Sequence, residues 1–348
     1  MINLEILKHY CSASGVSGFE ENITDFFIRE TSNCSDVQET DPLGNAYAWL
    51  STSNDSSPIM IEAHCDEIGF QVIHISESGL LYIRRNGGVD EQCLPGSIVT
   101  VQTADGGYIE GVIGKKPIHL MSQDDRRRTA EIHQLWVDTG LTPETVKKEV
   151  SIGAPVTLSP NFRKLGNRIV SKALDNRVGL FVISEVMKNL YGKSLNRSVV
   201  AAATTQEELG SRGAVVAAYK CRPQVAITVD LDFATELPDM NPNRYGDVRL
   251  GKGVVLPINA DVSPKIFKRM VDICEFHGIS YQKSARPHST GGTNISRMQL
   301  SREGIETMSL GIPSRYMHTP VEMCDIQDIN AAILLLTKFC YEYADKLG

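Results

Sequence analysis

The stretch VVAAATTQEELGSRGA, from Val199 to Ala214, decides the fold class of this chain. Its first half is apolar and uncharged, which predicts a strand buried on both faces. Two adjacent carboxylates, Glu207 and Glu208, end the strand, and the segment SRGAVVAAYK then predicts a helix with Ser211 as its N-cap. This order indicates an open α/β sheet, in which ligands bind outside the carboxyl ends of the strands.

The two glutamates also have a simpler interpretation. Carboxylates that precede a helix complement the positive end of its dipole. Taken alone, the acidic pair does not decide between this role and cation binding. Because neighbouring residues point in roughly opposite directions, one glutamate can bind a cation while the other faces a different part of the site.

Length and composition exclude several function classes. A chain of 348 residues is longer than a single hydrophobic core usually organises, which predicts two domains. The net charge of -7 and the absence of a basic stripe argue against a nucleic-acid partner. The segment MINLEILKHYCSASG lacks a signal-peptide pattern, and no apolar stretch reaches transmembrane length. The eight scattered cysteines match reduced thiols, so we expect a cytoplasmic protein with no membrane partner.

Alternating strands and helices outside residues 70–160 predict an α/β fold: a mostly parallel sheet flanked by helices. Two N-terminal helices are expected, with Ser17 capping the second. The runs PIMIEA, VVAAAT and VAITVDL predict buried strands, and ETMSLGI predicts another. Further helices are expected at about 176–190, after Ser263, and at about 326–346 with Asp325 at the start.

Residues 70–160 show a different pattern, which predicts an inserted small all-β domain. Short alternating runs (FQVIHI, LLYIRR, SIVTVQT, YIEGVIG and LWVDTG) are separated by turn residues, and Asp105-Gly106-Gly107 indicates a hairpin. One short helix is expected at 143–150, capped by Thr142. The charged stretch SQDDRRRTAEIHQ predicts an exposed, mobile loop. The α/β domain is then discontinuous, with residues 1–69 and 161–348.

Five segments place a potential metal ligand at a strand end or in the loop after it: His64, Asp175, the Glu207-Glu208 pair, Asp230 and His318. Each has an ordinary alternative, since a histidine can be a hydrogen-bonded loop residue, Asp175 a helix cap and Asp230 a turn former. A carboxylate at a buried strand end is costly, however, unless it is paired or metal-bound. Five such positions at one sheet edge favour a shared cation site.

The ligand types indicate which metals would fit. Two histidines and three carboxylates, without a thiolate, suit zinc, cobalt or manganese. One carboxylate commonly bridges the ions of a two-metal site. Asp66 lies two residues beyond His64, so on an extended chain both side chains point the same way. Asp66 could therefore accept a hydrogen bond from the other imidazole nitrogen of His64 and fix its tautomer.

Seven pieces of the sequence appear together in one known family, in this order: SGVSGFEEN, AHCDEIGF, SKALDNRVG, TTQEELGSRGA, VDLDFATELP, GGTN and SRYMHTPVEM. They resemble the dinuclear metallo-aminopeptidases of the glutamyl aminopeptidase and tetrahedral (TET) aminopeptidase type. The resemblance extends over nearly the whole chain, including the inserted β domain, and implies a zinc-aminopeptidase-like fold.

The resemblance implies two divalent ions per subunit, with zinc or cobalt expected and manganese a further candidate. Asp175 would bridge the ions, His64 and Asp230 would complete the shell of one, and Glu208 and His318 that of the other.

The resemblance also assigns roles to residues that do not bind metal. Glu207 would be the general base, and Asp66 the residue that orients His64. Asp232 also follows its strand, but the family pattern matches Asp230 better. The segment GGTNISRMQL departs from the family, which usually has an aspartate in place of Asn294, so a contact on the substrate side is expected to differ.

The expected function is a metal-dependent aminopeptidase that removes N-terminal residues from peptides with activated water. The resemblance further implies a homo-oligomer built on dimers through residues 70–160, in the extreme a dodecamer. The alternative is that this domain only covers the active site. A related two-metal hydrolase of dipeptides or acyl amino acids remains an alternative, and so does a non-catalytic metal-binding scaffold. Glu207 weighs against the scaffold, which has no use for a general base. A glycosidase function is not required by anything in the sequence, because glycoside hydrolysis uses a pair of carboxylic acids without metals.

Overall fold

The computed structural model of the chain describes residues 2–52, 57–285 and 292–343. The helices are α1 (Leu4–Ser12), α2 (Glu21–Thr31), α3 (Pro143–Glu149), α4 (Leu174–Leu190), α5 (Arg212–Cys221), α6 (Pro242–Tyr245), α7 (Pro264–His277), α8 (Ile295–Met298) and α9 (Ile326–Glu342). The last residues of the helix expected to reach 346 lie outside the described ranges. Within those ranges, no helix is long and apolar enough to cross a membrane.

The strands form a central sheet and a separate closed barrel. Those of the sheet are β1 (Val37–Thr40), β2 (Ala46–Leu50), β3 (Ile59–His64), β10 (Arg163–Leu165), β11 (Arg168–Ser171), β12 (Val199–Thr204), β13 (Val225–Phe233), β14 (Val254–Pro257), β15 (Tyr281–Ser284), β16 (Glu306–Arg315) and β17 (Glu322–Asp325). Those of the barrel are β4 (Gly69–Ile75), β5 (Leu81–Asn86), β6 (Ile98–Gln102), β7 (Tyr108–Gly114), β8 (Trp136–Asp138) and β9 (Pro155–Leu158).

The sheet is mixed, so the expectation of a mostly parallel sheet needs correction. Its order is β1-β2-β12-β3-β13-β16-β17-β11-β10, and off this path β14 pairs with β16 and β15 with β14. The neighbours β12, β3, β13 and β16 are parallel, as are β14 and β15. The other described pairings in the sheet are antiparallel. The long buried runs identified the parallel centre, whereas the short strands at both edges gave a weak sequence signal.

The parallel centre brings several predicted site residues to one edge of the sheet. His64 at the end of β3 pairs in register with Thr204 at the end of β12. Asp230 lies near the end of β13, opposite Gly311 of β16. Because these strands point the same way, their carboxyl ends open into one space.

Helices make the centre of the sheet inaccessible to solvent. Every residue of β12 is buried, in agreement with the uncharged sequence VVAAAT. Helix α4 packs against β3 and β13, while α5 packs against β12. Burial on both faces explains why these strands have apolar runs instead of alternating polar and apolar residues.

The barrel is closed in the order β4-β5-β8-β7-β6-β9 and has its own apolar core, which includes Phe70, Val101 and Val156. The predicted hairpin at 105–107 joins β6 to β7, with the Gly106 amide donating to the carbonyl of Thr103. The expected inserted all-β fold is therefore present.

Helix caps match the sequence predictions at some positions only. The side chains of Thr142, Ser263 and Asp325 accept backbone N–H groups at the starts of α3, α7 and α9. The prediction for Ser17 is wrong, because its hydroxyl donates to Asp66 and Glu20 occupies the N-cap of α2. Ser211 has the N-cap position of α5, but its hydroxyl donates to Glu207 at 3.5 Å.

Candidate metal centre and active-site cleft

The predicted ligands and the predicted base all line one cleft of about 910 Å³ at the carboxyl edge of the parallel strands. They come from the end of β3, the start of α4, the loop after β12, the end of β13 and the segment after β16: His64, Asp175, Glu207, Glu208, Asp230 and His318. Residues 254 positions apart in sequence thus meet in a space of substrate size.

One group of ligand atoms surrounds His64. Its Nε2 lies 3.1 Å from Oδ1 of Asp175 and 3.8 Å from Oδ1 of Asp230. The three residues are buried, and one ligand atom from each lies within 4.8 Å of the others. This arrangement fits a three-residue cation site.

A second group shares Asp175 with the first. Nε2 of His318 lies 3.4 Å from Oδ2 of Asp175 and 3.3 Å from Oε1 of Glu208. The ligand atoms of these three residues also lie within 4.8 Å of one another. The two oxygens of Asp175 therefore face different histidines, which is the geometry of a carboxylate between two cation sites.

Asp66 connects the loop after β3 to the loop after β12. Its Oδ1 lies 3.3 Å from Nδ1 of His64 and accepts the backbone N–H of Glu207 at 2.9 Å. Its Oδ2 accepts the backbone N–H of Glu208 at 3.0 Å and the hydroxyl of Ser17 at 2.6 Å. Asp66 thus orients both the imidazole and the glutamate pair, and sequence reasoning anticipated only the first contact.

Glu322 is a residue of the site that sequence reasoning missed. It is fully buried, its Oε2 accepts the backbone N–H of Asp175 at 2.9 Å, and its Oε1 accepts that of His318 at 2.8 Å. One carboxylate therefore fixes the backbone of two predicted ligands. It lies in the quoted motif SRYMHTPVEM, but its contact with a residue 147 positions away left no local signal.

The barrel also reaches the site through the turn after β5. Asn86 donates its side-chain N–H to the carbonyl of Ser17 at 2.7 Å, and the carbonyl of Gly88 lies 2.7 Å from Nδ1 of His318. Gly87 has φ +92°, and a Cβ there would come within 3.3 Å of the Glu208 side chain. This close approach requires glycine. The run NGG was visible in the sequence, but its partners were not.

The electrostatics of the cluster reflect crowded, buried carboxylates. Burial and the charge of Asp175 raise the pKa of Asp230 well above its usual value. Burial alone would raise the pKa of Asp175, but hydrogen bonds with His318 and His64 lower it. Burial opposes protonation of His318, yet its hydrogen bonds with Asp175 and Glu208 raise its pKa to about 12. Such a cluster attracts a cation, since buried like charges are costly without one.

Glu207 differs from the ligands in its surroundings. Burial raises its pKa to about 8, the nearby His64 opposes this, and the neighbouring carboxylate of Glu208 adds to it. A carboxyl group that titrates near neutrality can both accept and return a proton under working conditions.

A buried ion cluster lies behind the site. Oε2 of Glu67 is 2.6 Å from Nζ of Lys172, and Oε1 is 3.1 Å from the guanidinium of Arg177. All three side chains are at most 2% exposed. Arg177 also donates to the carbonyls of Tyr10 and Ala13, so the cluster joins the N-terminal segment to the start of α4. Sequence reasoning gave these residues no role.

Asn294 is fully buried and donates its amide N–H to Glu62 at 2.7 Å. Its neighbours Thr293 and Ile295 line the cleft instead. The departure from the family pattern at this position thus lies beneath the cleft surface, whereas a contact on the substrate side was expected.

Comparison with known proteins agrees with this geometry. The family model described as M42 glutamyl aminopeptidase matches residues 44–335. Lysyl aminopeptidase of Pyrococcus furiosus is 32% identical over 342 residues, which cover 96% of this chain and 96% of that protein.

Solved structures of TET aminopeptidases are also similar. The enzyme from a marine sediment archaeon of the Thaumarchaeota superposes with a TM-score of 0.92 at 29% identity, covering 98% of this chain and 96% of that one. The TET1 peptidase of Pyrococcus horikoshii, described as assembling into a tetrahedron or a large octahedral shell, gives 0.87 at 30% identity, covering 98% and 99%. Fold, cleft and matched length agree, and the chain belongs to the M42 glutamyl aminopeptidase family of peptide-bond hydrolases.

Proposed function

We propose that this aminopeptidase works with two divalent ions per subunit, zinc or cobalt, with manganese as a further candidate. The residues that would hold them are His64 and Asp230 for one ion, Glu208 and His318 for the other, and Asp175 for both.

The position of Asp175 is the main support for this proposal. Its two carboxylate oxygens face His64 and His318 separately, at 3.1 and 3.4 Å. The donor set of imidazoles and carboxylates fits the proposed metals. Charge compensation gives a second reason, since carboxylates this close in a buried cleft favour bound cations.

When bound, such ions lower the pKa of water towards neutrality and polarise a scissile carbonyl. We assign Glu207 as the general base that takes the proton from the attacking water and delivers it to the leaving amine. Its carboxylate lines the cleft beside both ligand groups without belonging to either of those found among the described residues. Asp66 accepts the N–H groups of Glu207 and Glu208 and thereby orients the base.

The substrate is proposed to be a peptide with a free N-terminus, as the name of the Pyrococcus furiosus relative indicates for that protein. A hydrolase of dipeptides or acyl amino acids would use the same metal ligands. A metal-binding scaffold would also use them, but it would not catalyse hydrolysis. Mass spectrometry of the products from an unmodified decapeptide and its N-acetylated form separates these functions. An aminopeptidase shortens only the free peptide, one residue at a time.

Metal dependence is tested by chelation followed by re-addition of single ions. We expect activity on aminoacyl chromogenic substrates to disappear with the metal and to return with zinc, cobalt or manganese. Titration of the metal-free protein should give two equivalents per chain. Full activity after verified metal loss would overturn the mechanism, and saturation at one equivalent would overturn the two-ion assignment.

A homo-oligomer built on dimers is proposed, with residues 70–160 as the oligomerisation domain and a dodecamer as the largest form. Exposed apolar side chains on the barrel, among them Ile73, Ile98 and Val112, support this interface. The shells described for the Pyrococcus horikoshii relative support a closed assembly.

A cytoplasmic location is also proposed. It is supported by the eight cysteines, all of which are free and most of which are buried. Fractionation of the source cells tests it, and recovery of the protein outside the cytoplasmic fraction would contradict it.

A further inference from the structure

Glu62 is a buried carboxylate to which the proposed mechanism gives no role. It lies on β3, between β12 and β13, and has no exposed surface. It accepts hydrogen bonds from the hydroxyls of Thr204 on β12 and Thr228 on β13, the latter at 2.7 Å. Nδ2 of Asn294 is a third donor, at 2.7 Å. One carboxylate therefore joins three parallel strands to the segment that contains Asn294.

That segment forms part of the cleft surface. Gly292, Thr293 and Ile295 line the same cleft as the ligands and the proposed base. The side chain of Asn294 is buried beneath them. The backbone carbonyl of Asn294 accepts the backbone N–H groups of Arg297 and Met298 in α8. We call residues 292–298 the cleft wall. The amide of Asn294 supplies hydrogen bonds between this wall and the sheet, and α8 also packs against β13 and β16.

The orientation of this amide depends on Glu62. Nδ2 of Asn294 donates to Glu62 and, at 3.2 Å, to Thr204, whereas its Oδ1 has no hydrogen-bond partner among the described residues. An unpaired buried acceptor costs free energy. The opposite orientation would cost more, because it would place the amide oxygen against a carboxylate oxygen. Glu62, which also accepts hydrogen bonds from both threonines, thus sets the orientation of the Asn294 amide.

We propose that Glu62 and Asn294 are a positioning pair that fixes the cleft wall against the sheet and so sets the affinity for the substrate. The inference rests on the proposed function for its kinetic consequence only. Neither side chain lines the cleft in the described structure. Loss of the pair should therefore raise KM more than it lowers kcat.

The test is a double-mutant cycle. Asn294→Asp places a second carboxyl group 2.7 Å from Glu62, and at alkaline pH, where the two groups cannot share a proton, their repulsion should displace the wall. We expect KM to rise roughly tenfold, with kcat within about threefold of the parent. Combining it with Glu62→Gln restores a donor opposite an acceptor, so the double variant should recover most of the lost affinity. Additive losses in the double variant would overturn the proposal.

Hydrogen–deuterium exchange gives a readout that does not depend on activity. The amides of Met298 and Gln299, which donate to the carbonyls of Asn294 and Ile295, should exchange faster in Asn294→Asp and return to parental rates in the double variant. Unchanged exchange in a folded Asn294→Asp protein would contradict the pair. This readout separates failure of the pair from failure of the proposed function, because it needs no turnover.

Asp328 offers a matched control. It is also fully buried and accepts the backbone N–H groups of Gly251 and Gly253, each at 2.7 Å. Asp328→Asn should lower stability without a change in KM or in exchange of the wall. If Asn294→Asp does not fold, Asn294→Leu removes the donor without adding charge. It should show the same rise in KM and faster exchange, and parental values for both would overturn the proposal.

Discussion

Oδ2 of Asp66 accepts the backbone N–H of Glu208 at 3.0 Å, so a residue after β3 fixes the position of a predicted ligand after β12. The other oxygen of Asp66 accepts the N–H of Glu207 at 2.9 Å and approaches His64 at 3.3 Å. Burial alone would raise the pKa of Asp66, but the hydrogen bonds with His64 and Ser17 lower it, so the group is a charged acceptor.

The first prediction concerns Asp66→Asn. The side-chain amide that replaces the carboxylate would point its N–H groups at one or two of the groups that now donate hydrogen bonds to Asp66. We expect kcat/KM and metal affinity each to fall by about 10–100-fold, the range for residues that orient metal ligands. Steady-state kinetics and metal titration measure the two effects. Ser17→Ala is the graded control, since it removes one donor and leaves the carboxylate in place. An equal loss in both variants would contradict the assigned role.

The second prediction separates the two adjacent glutamates. Glu207→Gln should lower kcat by about 10²–10⁴-fold and still bind two metal ions, because only proton transfer is removed. Glu208→Gln should weaken the binding of one ion, since Oε1 of Glu208 lies 3.3 Å from Nε2 of His318. Metal titration of both variants checks this. If Glu207→Gln loses an ion and Glu208→Gln retains both, the roles are reversed.

The third prediction concerns pH and the stability of the metal-free protein. The folded state raises the pKa of Glu207 from 4.5 to about 8 and that of His318 from 6.5 to about 12. Both groups bind protons more tightly when folded, so their contributions are present at low pH and are lost as pH rises. Between pH 6.5 and 8 the two effects have the same sign.

We therefore expect the Tm of the chelated protein to fall by at least about 2 °C from pH 6.5 to 8. The metal-loaded protein should show a smaller fall, because bound ions keep the ligands deprotonated. Calorimetric scans of both forms measure the difference. A Tm that rises with pH in the chelated protein would contradict the assignment.

The fourth prediction concerns the buried cluster of Glu67, Lys172 and Arg177. Glu67→Gln leaves two buried cations without a counter-charge and should cost about 3–5 kcal/mol of unfolding free energy. Lys172→Met leaves the pair of Glu67 and Arg177 intact, with N–O distance 3.1 Å, and should cost less than about 2 kcal/mol. Urea unfolding compares the variants. The opposite ranking would show that Lys172 has the larger structural role.

The fifth prediction is the assembly state. Multi-angle light scattering at micromolar concentration should give a mass at least twice the chain mass of 38.3 kDa. Replacing Ile98 and Val112 with lysine on the barrel surface should lower that mass if residues 70–160 form the interface. A monodisperse monomer of the parent would contradict the oligomer. An unchanged mass in the variant would place the interface elsewhere.

The sequence predicted best what lies on the parallel strands. The buried runs of β3, β12 and β13 are long and apolar, so the positions of His64, Glu207 and Asp230 at their ends could be inferred before any contact was known. The inserted β fold was equally accessible, because its short alternating runs differ from the rest of the chain. The long apolar runs and the short alternating runs are both local sequence patterns, and each reflects which faces of a strand are buried.

Contacts between distant segments could not be inferred in this way. The sequence indicated Ser17 as a helix cap, yet its hydroxyl reaches Asp66, 49 positions away. Glu62 lies inside a strand that the sequence identified, but its partner Asn294 is 232 positions away. The outermost strands β1 and β10 were missed for a related reason. Short, partly exposed strands are stabilised by their neighbours, so their own residues indicate little.

The turn after β5 connects the inserted barrel to residues of the candidate site. Asn86 and Gly88 supply hydrogen bonds to Ser17 and His318, and Gly87 lies against Glu208. Excising the barrel and joining its flanks would therefore remove contacts to two predicted metal ligands as well as an outer module. Exchange of this insertion between related enzymes would have to preserve these three consecutive residues.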